Sequence, residues 1–123
     1  MWKKCTFVAA LALAATPALA SNWVFVGKNT FGSVYEIDSE TLTRSGDNVT
    51  FWLRVKYGPE GPKGNADAYT ARRTANCSDR SYRDLQTTYT KEGKVVSTSG
   101  EEEKRFAPPD SIAAGVVKAA CGR

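Results

Sequence analysis

Val49-Thr50-Phe51-Trp52-Leu53-Arg54-Val55-Lys56-Tyr57 is the stretch that decides the fold. Its odd positions are apolar or aromatic, and its even positions carry Thr50, Trp52, Arg54 and Lys56. A period of two belongs to a strand, in which successive side chains point to opposite faces. A helix would scatter the same residues around its circumference. The stretch is therefore predicted to be a strand with one strongly apolar face and one polar face bearing a tryptophan. Gly58-Pro59 ends it, because proline lacks the N–H that a ladder needs.

Similar alternation extends on both sides. Ser21 to Val26 and Val34 to Asp38 read as strands joined by a turn at Gly27-Lys28-Asn29-Thr30. Ser39 to Asn48 is polar and closes with turn chemistry at Ser45-Gly46-Asp47-Asn48. Gly58 to Asn65 holds three Gly and two Pro, and reads as a flexible, solvated connection. Tyr69 to Cys77 alternates, with Arg73 interrupting its apolar face. Tyr82 to Thr90 alternates too, with Leu85, Thr87 and Tyr89 on one face. Lys91-Glu92-Gly93-Lys94 is a hairpin turn leading to a returning strand, Val95 to Thr98. Glu101 to Arg105 is a charge run of the kind found in solvated loops, and Phe106 is expected to tuck back towards the core. Pro108-Pro109-Asp110-Ser111 announces a helix, with Asp or Ser as its N-cap. Ile112, Val116 and Ala119 follow at helical spacing, as do Val117 and Cys121, and Gly122 ends the helix. The predicted class is α+β: a single antiparallel sheet of about six strands with a C-terminal helix on its apolar face.

The 123 residues fit one domain behind a leader. Residues 1–20 have a Lys-rich start, a short apolar core and a small-x-small ending at Ala18-Leu19-Ala20, the pattern of a cleaved secretory signal. The apolar core is shorter than the roughly 20 residues a membrane span needs. Residues 21–123 are then the mature domain, exported to the periplasm, the medium or the cell surface. Removing the leader removes Cys5 and leaves Cys77 and Cys121, which should pair in an oxidising compartment. Closing a loop of about 45 residues is worth roughly 4 kcal/mol in the chain-entropy model.

Several kinds of chemistry lack support. There is no histidine among the 123 residues, so no imidazole can activate a Ser or Thr nucleophile. The protein reads as a non-enzyme with no cofactor. Glu36, Asp38 and Glu40 are hard oxygen ligands close in sequence, but they read as a solvated acidic turn rather than a calcium site. No glycine-rich loop feeds a helix, so nucleotide binding is not indicated. Taking Lys3 and Lys4 from the 17 basic residues leaves 15 against 13 acidic ones, a mature net charge of +2. That is a poor match for nucleic acid. What remains is surface. Trp52, Arg54, Lys56 and Arg72 are the candidate binding face, with Arg80 and Arg83 sharing or bordering it, because Trp and Arg are enriched at binding hot spots. The expected partner is a protein or glycan, or a second copy of the domain.

The order of these elements resembles the surface-adhesin protein E family of exported bacterial proteins. The resemblance rests on Trp23, then Tyr35-Glu36-Ile37-Asp38, Arg44, Gly46, Val49 and Trp52. Further on it rests on Cys77, Arg80, Arg83, Tyr89, Gly93 and Val95, and finally on Phe106, Pro108-Pro109-Asp110-Ser111 and Cys121. It implies an antiparallel sheet with a disulfide-bonded C-terminal helix. It also implies a dimeric adhesin that binds host matrix and serum proteins. Founding members of the family are lipid-anchored, whereas this sequence has no cysteine at the cleavage point, so it is not expected to be lipidated there. The family's host-binding positions lie outside the matched motif, and none is carried over. The alternative is a periplasmic, envelope-associated protein with no host ligand.

Overall fold

The computed structural model describes residues 21–62 and 64–122. The leader predicted at residues 1–20 lies outside the described residues. In chain order the elements are β1 (Trp23–Lys28), β2 (Val34–Asp38), β3 (Thr43–Ser45), β4 (Asn48–Lys56) and β5 (Ala68–Asn76). They continue with β6 (Ser81–Lys91), β7 (Lys94–Ser99), β8 (Arg105–Phe106) and α1 (Ile112–Cys121).

Every strand pairing is antiparallel, and the sheet runs β1-β2-β4-β5-β6-β7. The short strand β3 pairs with the first residues of β4, and β8 with the first residues of β6. The predicted six-strand sheet is thus present, with two short additions. Strand β4 runs through its middle. Its alternation holds without interruption: Val49, Phe51, Leu53 and Val55 are fully buried, and Thr50, Trp52 and Arg54 are half-buried on the other side. Ile37, Val116, Val117 and Ala120 join them in the core. Each large apolar side chain buried there contributes roughly 1.5–3 kcal/mol.

Helix α1 packs on β1, β2 and β4. Of the two N-cap candidates, Asp110 and Ser111, the cap is Ser111, whose Oγ accepts a hydrogen bond from the Ala114 N–H at 3.1 Å. The same hydroxyl donates to the Pro108 carbonyl at 2.7 Å, so the two-proline segment is tied to the first helical turn. The helix approaches β1 closely at Gly27. A Cβ on Gly27 would stand 2.9 Å from Ile112 Cδ1. At the other end Cys121 is bonded to Cys77, just past β5, with the Cα atoms 5.8 Å apart. Arg44 of β3 donates from Nη1 to the Cys121 carbonyl at 2.9 Å and from Nε to the Gly46 carbonyl at 3.3 Å. A cation on the last carbonyls of a helix satisfies orphan acceptors and complements the helix dipole. That gives Arg44 and the positive-φ Gly46 a physical role at the helix end.

Four expectations change in detail. β1 ends at Lys28 rather than Val26, so Gly27 and Lys28 are strand and the turn follows them. Ser39 to Asn48 contains β3, whose three exposed residues carry no apolar alternation to announce it. The regular alternation expected to put Leu85 with Thr87 and Tyr89 is broken at Leu85. The register passes from Arg73↔Asp84 to Arg72↔Gln86, leaving Leu85 as the extra residue of a bulge. Phe106 does not tuck in. It lies opposite Ser81 in β8 and is 62% exposed, while the next residue, Ala107, is buried; strand alternation sends one out and the other in.

Candidate functional site

The face of the sheet opposite α1 is built from the even positions of β4 and their cross-strand neighbours. Trp52 lies opposite Arg72, and Arg54 lies opposite both Glu36 and Thr70. The Arg72 guanidinium carbon stands 5.9 Å from the centre of the Trp52 ring. One strand over, the Arg54 guanidinium carbon stands 4.2 Å from the Trp23 ring centre, while its Nε donates to Glu36 Oε1 at 2.9 Å. Lys56 Nζ is 3.9 Å from the same carboxylate oxygen. Two tryptophan–guanidinium pairs therefore sit on this face: Trp52 with Arg72 joins the adjacent β4 and β5, and Trp23 with Arg54 reaches across β2 from β1 to β4. Pairs of this kind contribute roughly 0.5–1 kcal/mol each at exposed sites.

The structure brings Trp52, Arg54, Lys56 and Arg72 together on one face. Arg83 lies opposite Thr74 on that face, with Nη1 3.0 Å from Glu101 Oε2. Arg80 is elsewhere. It occupies the Cys77–Arg80 turn with φ 61° and lines a cleft shared with the disulfide and α1. Trp23 was missed as a member of the face. Its place follows from the strand pairing, because β1 must lie beside β2 for its indole to reach Arg54. The Glu36 and Asp38 carboxylates are held by protein partners. Glu36 is in the Arg54 pair, and Asp38 accepts from the N–H groups of Asn22 and Glu40 and from the Thr41 hydroxyl.

Residues 23–122 match the family model of surface-adhesin protein E. The chain belongs to the surface-adhesin protein E family. Among solved structures, crystal form II of Haemophilus influenzae protein E is similar with a TM-score of 0.60 at 18% identity. The match covers 92% of this chain and 97% of that one. At that identity the likeness speaks to the fold: the sheet and the C-terminal helix. No curated protein matches the sequence significantly. As a member of the surface-adhesin protein E family the chain is adhesin-like, and adhesins act by binding rather than by turning over a substrate. No helix among the described residues is long and apolar enough to cross a membrane.

Proposed function

We propose that this member of the surface-adhesin protein E family is an exported, non-enzymatic binding module that engages a protein partner of the host matrix or serum through the sheet face opposite α1. The observation that carries the reading is the pair of tryptophan–guanidinium contacts, Trp52 with Arg72 and Trp23 with Arg54. Large aromatics and arginines held on a rigid, flat surface are the usual anchors of protein interfaces. Among the described residues α1 is the one helix on the sheet, and it covers one face only, which leaves the other available to a partner.

The test is an array of immobilised extracellular-matrix and serum proteins probed with the oxidised domain and with the Trp52→Ala/Arg54→Ala variant. The wild-type domain should bind at least one component. Removing two anchors should weaken that binding by about 30-fold, the equivalent of about 2 kcal/mol. The far-ultraviolet circular dichroism should stay unchanged, because both side chains project away from the core. Equal binding by the variant sinks the role of this face. Absence of any bound component favours an envelope-associated role with no host ligand.

A further inference from the structure

On the α1 side of the sheet, tyrosines form a row. Tyr35 lies opposite Val55, Val55 opposite Tyr69, and Tyr69 opposite Tyr89. Tyr57 follows Val55 by two residues. The Tyr57 and Tyr69 ring centres are 5.9 Å apart and those of Tyr69 and Tyr89 are 5.7 Å apart, both tilted. A cleft of about 540 Å³ opens over this row, bounded by Asn29 and Phe31 on one side and Glu60 to Pro62 on the other. That volume falls within the roughly 300–1,000 Å³ of small-molecule sites.

The walls are held in place before anything binds. Asn29 Oδ1 accepts from the N–H groups of Phe31 at 3.0 Å and Ser33 at 2.9 Å, which locks the β1–β2 turn. The buried Ser33 hydroxyl accepts from the Gly58 N–H at 3.1 Å, joining that turn to the far wall. Gly58 lies so close to the turn that an added Cβ would be 2.4 Å from the Phe31 carbonyl oxygen. Phe31 nevertheless remains 54% exposed at the rim.

The groups lining the cleft have a consistent chemistry. Among the described residues that line it, Glu60 is the one charged side chain. Burial raises the Tyr57 and Tyr69 phenols above their ordinary values, so both are neutral O–H groups at pH 7. Asn29 offers an amide, with Nδ2 3.4 Å from the Tyr35 hydroxyl. Aromatic rings, neutral hydroxyls, an amide and one carboxylate suit a molecule with an apolar C–H face and a rim of hydroxyls. A carboxylate on the wall disfavours anions. β2, β4 and β5 are each bonded to strands on both sides, so no main-chain edge is free to pair with an extended peptide. The tyrosines stand side by side on one sheet face rather than facing one another around a gap, as a cage for a quaternary ammonium requires.

We infer that this cleft binds a neutral pyranose, a unit of a glycan chain, with a tyrosine and Phe31 against its C–H faces and Glu60 and Asn29 taking its hydroxyls. The site is separate from the tryptophan face and does not depend on it. Saturation-transfer NMR of the oxidised protein tests this with a panel of neutral methyl pyranosides and trisaccharides, beside a proline-rich peptide and tetramethylammonium. At least one sugar should receive saturation from the tyrosine rings. Phe31→Ala and Glu60→Gln, both at exposed positions, should each weaken that sugar by about tenfold. Trp52→Ala/Arg54→Ala should bind it unchanged. The inference is overturned if no sugar of the panel binds, or if folded Phe31→Ala and Glu60→Gln bind it as wild type does. It is equally overturned if the peptide or tetramethylammonium binds in place of sugar, or if the tryptophan-face variant loses it.

Discussion

Arg73 and Asp84 face each other across β5 and β6, both almost wholly buried, with Arg73 Nε 2.6 Å from Asp84 Oδ1 and Nη2 3.1 Å from Oδ2. The Tyr82 ring lies 4.4 Å from the guanidinium carbon. Arg73 was legible as a break in an apolar face. Its partner was not, because the Leu85 bulge decides which residue of β6 lies opposite, and a bulge leaves no period in the sequence. Asp84→Ala should lower stability by about 3–5 kcal/mol, since it leaves a buried guanidinium unpaired. Replacing both, as Arg73→Met/Asp84→Leu, should recover most of that loss, and urea denaturation of the two variants checks the difference. Asp38 gives a pH signature. Burial raises its pKa, but the Asn22 N–H, the Thr41 hydroxyl and the Glu40 N–H outweigh burial and hold it below the ordinary value. A lowered folded pKa means stability that is complete above the unfolded carboxylate pKa of about 3.9 and lost as pH falls through the lower folded value. Asp38→Asn should lower stability at pH 7 by about 1–3 kcal/mol. The difference from wild type should shrink when both are melted at acid pH.

At the level of elements, β4 and α1 were readable for different reasons. β4 carries an unbroken period of two, and α1 is announced by its prolines, its cap and its spacing. β3 and β8 were not readable, because two or three residues hold too little pattern to distinguish a strand from a loop. The connection after β4 changes most. Its glycines and prolines suggested mobility, yet Gly58 sits against the backbone of Phe31 and Gly32, and Gly61 is buried with its N–H on the Gly58 carbonyl at 2.9 Å. Here glycine supplies close backbone approach rather than flexibility, a distinction that composition cannot make. Gly58→Ala should therefore lower stability by about 1–3 kcal/mol or more. Gly100→Ala, where an added Cβ meets nothing within 4 Å, should stay within about 0.5 kcal/mol of wild type in the same denaturation series.

For the molecule as a whole, the clasp between Cys77 and Cys121 joins elements 44 residues apart. Cys121→Ser should lower stability by about 2–4 kcal/mol, and wild type melted with reductant should approach the variant. The pairing was legible from the cysteine count. So was the gathering of Trp52, Arg54, Lys56 and Arg72 on one face, because strand parity alone places them. The tyrosine cleft was not, because it needs the fold to bring the β1–β2 turn beside the β4–β5 connection. The clasp also determines how the protein carries mechanical load. Tension applied between the two ends of the chain enters at β1, crosses β2 to β5, and leaves through the sulfur–sulfur bond. β6, β7, β8 and the body of α1 lie inside the closed loop, off the covalent line of force. At roughly 3.3–3.6 Å per extended residue, some 150 Å of chain is thereby held out of the stretching path. A tether built on this domain lengthens in two stages: a short one while the bond is intact, and a long one once it is reduced.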